Sequence, residues 1–187
     1  MKKLAVFFPG IGYTVDKPLL YYSRKLAAAR DYELRLLPYA GFPPKCMGDE
    51  ARMAESLALA QRQAEDMLAD LDLTSCGALL FVGKSIGTVV AARLAAERGI
   101  VERVRFVLYT PLIETLSLPL GDAVVFTGSA DPWVGGEKSQ IPALCARRGI
   151  PCHVVEGANH SLECGEMKKD LKNLRAVMKE TERFLDK

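Results

Sequence analysis

The stretch from Ala78 to Arg98 constrains this chain more than any other part of it. It begins with the apolar run ALLFV, passes through the turn GKSIG, and continues as the alanine-rich segment TVVAARLAAER. A short apolar run predicts a buried strand, and the apolar residues after the turn recur at helical spacing. The turn therefore places Ser85 on a sharp strand-to-helix junction, where its hydroxyl can act as a nucleophile. Gly83 and Gly87 stand where a side chain would collide with a neighbouring strand or helix.

Two other interpretations of this turn compete with a nucleophile. A serine at the start of a helix often serves only as a cap. Gly83-Lys84-Ser85 also matches the end of the phosphate-binding pattern G-x-x-x-x-G-K-[ST], but Ala78 occupies the position where that pattern requires glycine. The phosphate loop is therefore rejected, whereas the cap remains an alternative.

Composition limits the classes of protein to which the chain can belong. Its 187 residues predict one α/β domain spanning residues 1–187. Lys and Arg number 25 against 23 acidic residues, so the overall charge is nearly balanced and is not expected to attract nucleic acid or an anionic membrane. The five cysteines form no C-x-x-C pair and only two histidines occur, so neither a metal site nor a disulfide framework is expected.

The N-terminal segment MKKLAVFFPG begins like a signal peptide, but its apolar run stops at Pro9-Gly10. No segment of the sequence is long and apolar enough to cross a bilayer. A cytoplasmic protein with reduced thiols is therefore expected.

Strand-like and helix-like segments alternate along the chain. Strands are predicted at residues 4–8, 33–37, 78–82, 104–109, 123–127 and 152–155. Asp16 is predicted to cap the first helix, and the last helix, 166–185, to bury a stripe that includes Met167 and Leu171. The alternation implies an α/β fold, with about six parallel strands in a three-layer α/β/α sandwich. Functional groups should then gather at the C-terminal ends of the strands.

Three polar residues fit that rule. Ser85, Asp131 and His160 each follow a predicted strand, in the order nucleophile, acid, histidine. His160 would take the proton of the serine hydroxyl, and Asp131 would orient the imidazole and stabilise its charged form. His153 is the other candidate base, but it lies inside a strand; Asp122 is the other candidate acid, but it precedes its strand. Glu156 and Glu163 flank the histidine loop and remain possible helpers.

Acyl transfer also needs N–H groups directed at the developing oxyanion. One should be the backbone N–H of Ile86, directly after the nucleophile. The other is expected from the loop after the first strand, as the N–H of Ile11 in Pro9-Gly10-Ile11-Gly12. A plain glycine-rich turn is the alternative for this loop.

These motifs together resemble a small α/β-hydrolase over nearly the whole chain. The resemblance rests on Gly10-Ile11-Gly12, Gly83-Lys84-Ser85-Ile86-Gly87, Asp131 and His160 in their expected places. It implies a minimal α/β-hydrolase fold that lacks the first two antiparallel strands of the full fold. It also implies an open site without a lid, since only a short connection joins Tyr109 to Ala123. The oxyanion loop is Pro-Gly-Ile-Gly rather than the histidine-glycine form common in the family.

Each of the other residues around the site is compatible with two roles. Lys84 is expected to face a carboxylate, from Glu114 or Glu163, and a structural ion pair is favoured over contact with substrate. Five loop residues form either an apolar acyl pocket or a cover over the sheet: Tyr13, Tyr39, Phe42, Leu112 and Trp133.

The function expected is a serine hydrolase that cleaves a carboxylic ester or thioester of a small or extended acyl substrate through an acyl-enzyme. The expected partner is this small-molecule substrate, with no metal or organic cofactor. The same triad can act on amide or carbon–carbon bonds, and a hydrolase-like scaffold can bind a ligand or partner without turnover. Both alternatives stay open, as does the oligomeric state.

Overall fold

The computed structural model describes residues 2–187, which form one six-stranded sheet with helices on both faces. The strands are β1 (Lys3–Phe8), β2 (Glu33–Leu36), β3 (Ala78–Lys84), β4 (Val104–Tyr109), β5 (Ala123–Gly128) and β6 (Cys152–Val155). The helices are α1 (Pro18–Ala28), α2 (Glu50–Met67), α3 (Ile86–Glu97), α4 (Ile141–Arg147) and α5 (Met167–Leu185).

All neighbouring strands are parallel, in the order β2-β1-β3-β4-β5-β6. The chain builds outward from β1 to β2, then returns to place β3 on the other side of β1. The loops that leave β1 and β3 therefore diverge to opposite faces and open a crevice at the C-terminal edge of the sheet.

Alternating side chains of β3 connect the two halves of the core. Leu79 and Phe81 face α2, α3 and α4, whereas Leu80 and Val82 face α1 and α5. The predicted three-layer arrangement is therefore confirmed. Strand β3 extends to Lys84 because Gly83 and Lys84 continue to pair with β4.

The start of α1 differs from the prediction. Lys17, not Asp16, is the N-cap residue, and no side chain caps the helix. Pro18 takes the first helical position, for which its fixed φ is suited, so Asp16 stands one residue too early to cap. Its carboxylate instead accepts a hydrogen bond from Arg24 at 2.8 Å.

The first turns of α5 also differ from the predicted buried stripe. Met167 is 70% exposed and Leu171 is 60% exposed, while Val177 and Phe184 near the other end are buried. A helix of 19 residues is about 28 Å long, whereas a six-residue strand spans about 20 Å. The sheet therefore covers only part of the helix.

Between residues 2 and 187, no helix combines the length and apolar character needed to cross a membrane.

Candidate active site

Ser85 occupies a strained junction between β3 and α3. Its φ of 55° and ψ of −124° lie outside the conformations that side-chain-bearing residues usually adopt. Its hydroxyl makes no capping hydrogen bond to α3, so the interpretation of Ser85 as a simple cap is wrong. Instead, Thr88 Oγ1 donates to the Ser85 carbonyl at 2.6 Å and stabilises the junction.

Both glycines of the turn are required by close backbone contacts, as predicted. A Cβ on Gly87 would lie 2.1 Å from the Phe8 carbonyl oxygen, and one on Gly83 would lie 2.9 Å from Thr88 Cα. The first turn of α3 can therefore approach the end of β1 and its own strand only without those side chains.

The structure brings Ser85, His160 and Asp131 into one hydrogen-bonded chain. His160 Nε2 lies 2.8 Å from Ser85 Oγ, and His160 Nδ1 lies 2.7 Å from Asp131 Oδ2. With the proton on Nδ1, the imidazole donates to Asp131 and accepts from the serine hydroxyl. Asp131 is fully buried and Ser85 is 8% exposed. The arrangement can remove the serine proton.

Two loops hold the acid and the histidine in this geometry. The second carboxylate oxygen of Asp131 accepts the Trp133 N–H at 3.0 Å, which fixes the plane of the carboxylate. Asn159 Oδ1 accepts the N–H groups of Ser161 and Glu163, which folds the chain around His160 into a tight turn. Asn159 was missed in the sequence, although an Asn next to the histidine is a signal for such a turn.

The two loops also meet directly. A Cβ on Gly128 would lie 2.2 Å from the Ala158 carbonyl oxygen. Only a glycine at the end of β5 therefore lets the loop that carries Asp131 pack on the loop that carries His160.

The competing candidates lie elsewhere. His153 is in β6, where its ring stacks on Phe126 with centroids 5.0 Å apart. Asp122 precedes β5 and pairs with Arg105 at 3.1 Å. Glu156 and Glu163 are exposed and make no side-chain hydrogen bond to His160 in the described part of the chain.

The surroundings of His160 favour its neutral form. Burial lowers the pKa of the imidazole below its ordinary value of 6.5, and the positive charge of Lys84 lowers it further. The hydrogen bond to Asp131 and its negative charge act in the opposite direction. The balance leaves His160 unprotonated at neutral pH, as a general base must be.

The two candidate oxyanion donors belong to segments that adjoin Ser85. Ile86 is the first residue of α3, so its N–H has no acceptor within the helix, and the N–H of Ser85 is already bonded to the Tyr109 carbonyl. Ile11 lies in a turn closed by hydrogen bonds between Gly10 and Tyr13. A Cβ on Gly10 would lie 3.2 Å from Ser85 Cβ, so this turn packs closely against the serine.

A cleft of about 830 Å³ opens beside Ile86 on the α2 and α3 face of the sheet. Its apolar wall includes Met53, Leu57, Ile86, Leu112, Ile113 and Trp133. Leu112 and Trp133 were expected at a pocket and are found there. Met53 and Leu57 of α2 line the cleft as well as the core, since Leu57 belongs to the buried core and Met53 packs against that core. A cleft wall and a core present the same apolar pattern in the sequence.

The other expected pocket residues do not line this cleft. Tyr39 and Phe42 pack edge to face with centroids 6.2 Å apart and cover the core. Tyr13 is buried on the opposite face, where its hydroxyl accepts the Leu19 N–H at 3.1 Å and its ring borders a smaller cavity of about 380 Å³.

The expectations for Lys84 were wrong. Its side chain is 1% exposed, lines neither cavity, and forms no ion pair with Glu114 or Glu163 within residues 2–187. Glu114 lines the cleft on the opposite face. The side chain of Lys84 instead follows Leu80 and Val82 to the α1 and α5 face, because residues two apart on a strand share a face. There the amine lies over the Tyr13 ring, 4.9 Å from its centroid.

Solved structures of several hydrolases are similar to this one over nearly the whole chain. The esterase Pf2001 from Pyrococcus furiosus matches with a TM-score of 0.65 and 12% identity, over 99% of this chain and 82% of that one. Est1E from Butyrivibrio proteoclasticus matches with a TM-score of 0.61 and 13% identity, over 100% and 89% of the two chains.

A third match is to a hydrolase that has no lid. XC6422 from Xanthomonas campestris, described as an α/β serine hydrolase without a lid, has a TM-score of 0.57 and 13% identity, over 97% of this chain and 81% of its own. No family model matches the sequence, and no curated protein is significantly similar to it. At these identities the likeness concerns the fold, and the protein has the α/β-hydrolase fold in a minimal, six-stranded parallel form.

Proposed function

We propose that this protein is a serine hydrolase that cleaves carboxylic esters or thioesters through a covalent acyl-enzyme. The observation that carries the proposal is the hydrogen-bonded chain from Ser85 through His160 to Asp131, with distances of 2.8 and 2.7 Å. The strained backbone of Ser85 supports it, because strain of this kind is concentrated at functional residues.

In the proposed reaction, His160 Nε2 accepts the proton of Ser85 as its Oγ attacks the substrate carbonyl carbon. The N–H groups of Ile11 and Ile86 stabilise the oxyanion. As the tetrahedral intermediate collapses, His160 protonates the departing alcohol or thiol, which leaves the acyl group on Ser85. Water then attacks the acyl carbonyl while His160 takes one of its protons. His160 returns that proton to Ser85 Oγ as the acid is released.

The cleft beside Ile86 supports an apolar acyl group in the substrate. Its volume of about 830 Å³ lies within the range of small-molecule sites. Asp49, Glu50 and Glu114 also line it, against one cation, Arg93. The excess of negative charge disfavours an acyl chain that ends in a carboxylate. We therefore propose a cytoplasmic enzyme whose substrates are esters or thioesters of uncharged acyl groups of medium length.

Labelling with a fluorophosphonate probe tests the proposal. The wild-type protein should be labelled at one residue per chain, because the activated serine attacks phosphorus as it would a carbonyl carbon. Ser85→Ala should abolish labelling and His160→Ala should slow it strongly. Ser117→Ala, which changes an exposed serine, should label like the wild type.

The same experiment separates the alternatives. A folded wild-type protein that is not labelled would contradict the serine hydrolase and favour a binding protein with this fold. The protein could also be labelled and hydrolyse neither p-nitrophenyl esters nor acyl thioesters, but cleave an amide or carbon–carbon bond. Ser85 would then still be the nucleophile, and the bond proposed here would be wrong.

A further inference from the structure

Lys84 stands out among the buried side chains because it carries a charge without a direct partner. It immediately precedes Ser85 on β3, and 1% of its surface is exposed. Among residues 2–187, no carboxylate approaches its amine within the 4.0 Å of an ion pair. The group in contact with the amine is the ring of Tyr13, 4.9 Å away at its centroid. A buried ammonium in such a site is costly, and a ring face repays only part of the cost.

The groups around Lys84 belong to the candidate active site or adjoin it. The amine contacts the Tyr13 ring, and Lys84 directly precedes Ser85, whose Oγ lies 2.8 Å from His160 Nε2. Tyr13 comes from the loop after β1, Asp131 from the loop after β5, and His160 from the loop after β6. Burial lowers the pKa of Lys84 to about 7, and the negative charge of Asp131 opposes this effect. Glu163 and Tyr109 are also near this group, and the negative charge of each raises the pKa of the Tyr13 hydroxyl.

Lys84 is also connected to the loop that holds the second oxyanion donor. Tyr13 closes that loop through hydrogen bonds with Gly10, 3.1 and 3.3 Å long. The amine therefore contacts the turn that carries Ile11, and Lys84 itself directly precedes Ser85, the nucleophile of the proposed triad.

We propose that Lys84 is a positioning residue that does not touch substrate. Its amine packs against Tyr13 and so supports the turn of residues 10–13, and its charge sets the pH at which His160 loses its proton. The proposal rests on the hydrolase function given above. The positive charge of Lys84 repels a second positive charge on the imidazole, so it keeps His160 neutral and ready to accept a proton at a lower pH. The charge of Asp131 orients and stabilises the imidazolium, while that of Lys84 limits how basic the imidazole becomes.

The sign of the effect follows from the order of the ionisations. The pKa of His160 lies below 6.5 and that of Lys84 at about 7, so Lys84 is still largely charged over the range in which His160 titrates. Removing the charge should therefore raise the pH at which His160 becomes protonated.

Trp133 provides a direct readout, because it is the only tryptophan and its ring stacks on His160. A protonated imidazole quenches the emission of an indole in contact with it. In a fluorescence titration from pH 8 to 4, Lys84→Met and Lys84→Gln should move the midpoint upward by about half a pH unit or more. Lys84→Arg, which keeps the charge, and Lys172→Met, which removes an exposed lysine, should leave it within about 0.2 pH unit. Circular dichroism at each pH restricts the comparison to folded protein.

A folded Lys84→Met and Lys84→Gln that both titrate like the wild type would overturn the proposal. The acid limb of kcat/KM against pH gives a second readout and should move with the fluorescence midpoint at an unchanged KM. A purely structural role would lower activity at all pH values without moving either midpoint. Fluorophosphonate labelling keeps the two proposals apart: an unlabelled wild type overturns the hydrolase, whereas a labelled wild type with an unmoved midpoint in both variants overturns only the role of Lys84.

Discussion

The imidazole of His160 is stacked on the indole of Trp133, with ring centroids 5.3 Å apart and planes inclined by 29°. The backbone N–H of Trp133 also donates to Asp131 Oδ1 at 3.0 Å. One residue therefore contacts both the base and the acid of the proposed triad, and its ring forms part of the cleft beside them. Its emission should respond to the charge of His160 and to the arrival of a ligand.

We expect the fluorescence of Trp133 in the wild-type protein to titrate with a midpoint below 6.5. The reason is that burial and the charge of Lys84 lower the pKa of His160. The acid limb of kcat/KM should have the same midpoint. His160→Gln should remove the fluorescence transition, and His153→Gln, which changes the other histidine, should preserve it. A transition that survives in His160→Gln would contradict the assignment.

Replacing Asp131 by Asn should lower kcat about 10,000-fold with little change in KM. The amide can no longer hold the imidazole in the tautomer that leaves Nε2 free to accept the serine proton. Steady-state hydrolysis of p-nitrophenyl butyrate measures the effect, and circular dichroism verifies the fold. Asp122→Asn, at the opposite end of β5, should change kcat less than threefold or so. A loss of less than about tenfold in Asp131→Asn would argue against a triad.

Among p-nitrophenyl esters, kcat/KM should rise from the acetate to an acyl group of about six to eight carbons, as apolar surface is buried in the cleft. An acyl chain of the same length that ends in a carboxylate should react at least about tenfold more slowly, because three carboxylates line the cleft. Met53→Trp, which changes a half-buried residue of the cleft wall, should reduce the rate on the longer esters and spare the acetate. Equal rates along the series would place the acyl group outside the cleft.

Gly87→Ala should destabilise the protein by at least about 3 kcal/mol or prevent folding. The added methyl group would meet the Phe8 carbonyl oxygen at 2.1 Å, and backbone atoms on both sides cannot move apart without breaking the contact of α3 with β1. Gly99→Ala is the matched control, since its φ of +62° disfavours alanine but nothing lies within 4 Å of the new methyl group. It should cost about 1 kcal/mol. Urea unfolding of both variants measures the difference.

Burial of Lys84 should make the stability of the wild-type protein depend on pH in a way that Lys84→Met removes. The pKa of Lys84 is about 7 in the folded protein against 10.5 when unfolded, so the unfolded chain binds the extra proton between those values. The free energy of unfolding of the wild type, relative to Lys84→Met, should therefore rise between pH 7 and 10 by on the order of 4 kcal/mol. Below pH 6 the remaining change should be small, about 0.7 kcal/mol for each half pH unit by which the variant raises the His160 midpoint. Urea unfolding at three pH values tests this, and a flat difference would show that the amine is hydrated.

The sequence was sufficient for the strands and for the order of the chemical groups. Short apolar runs separated by amphipathic segments have few ways to bury their surface other than a parallel sheet between helices, so β4 and β6 begin and end where predicted. The C-terminal ends of parallel strands share one edge, and that geometric rule alone places Ser85, Asp131 and His160 near each other. Glycines with no room for a side chain are recognisable for the same reason, since each marks a close backbone contact.

Only the tertiary structure decided what surrounds each of these groups. The periodicity of α2 marks Met53 and Leu57 as an apolar face but does not show that this face borders a cleft in addition to the core. The periodicity of α5 does not show where the sheet ends beneath Met167. Lys84 is the clearest case. A lysine in a sequence is expected at the surface, yet the alternation of β3 turns this one inward against the ring of Tyr13. Burial and neighbouring charge depend on distances between residues far apart in the chain, and those distances exist only once the sheet is assembled.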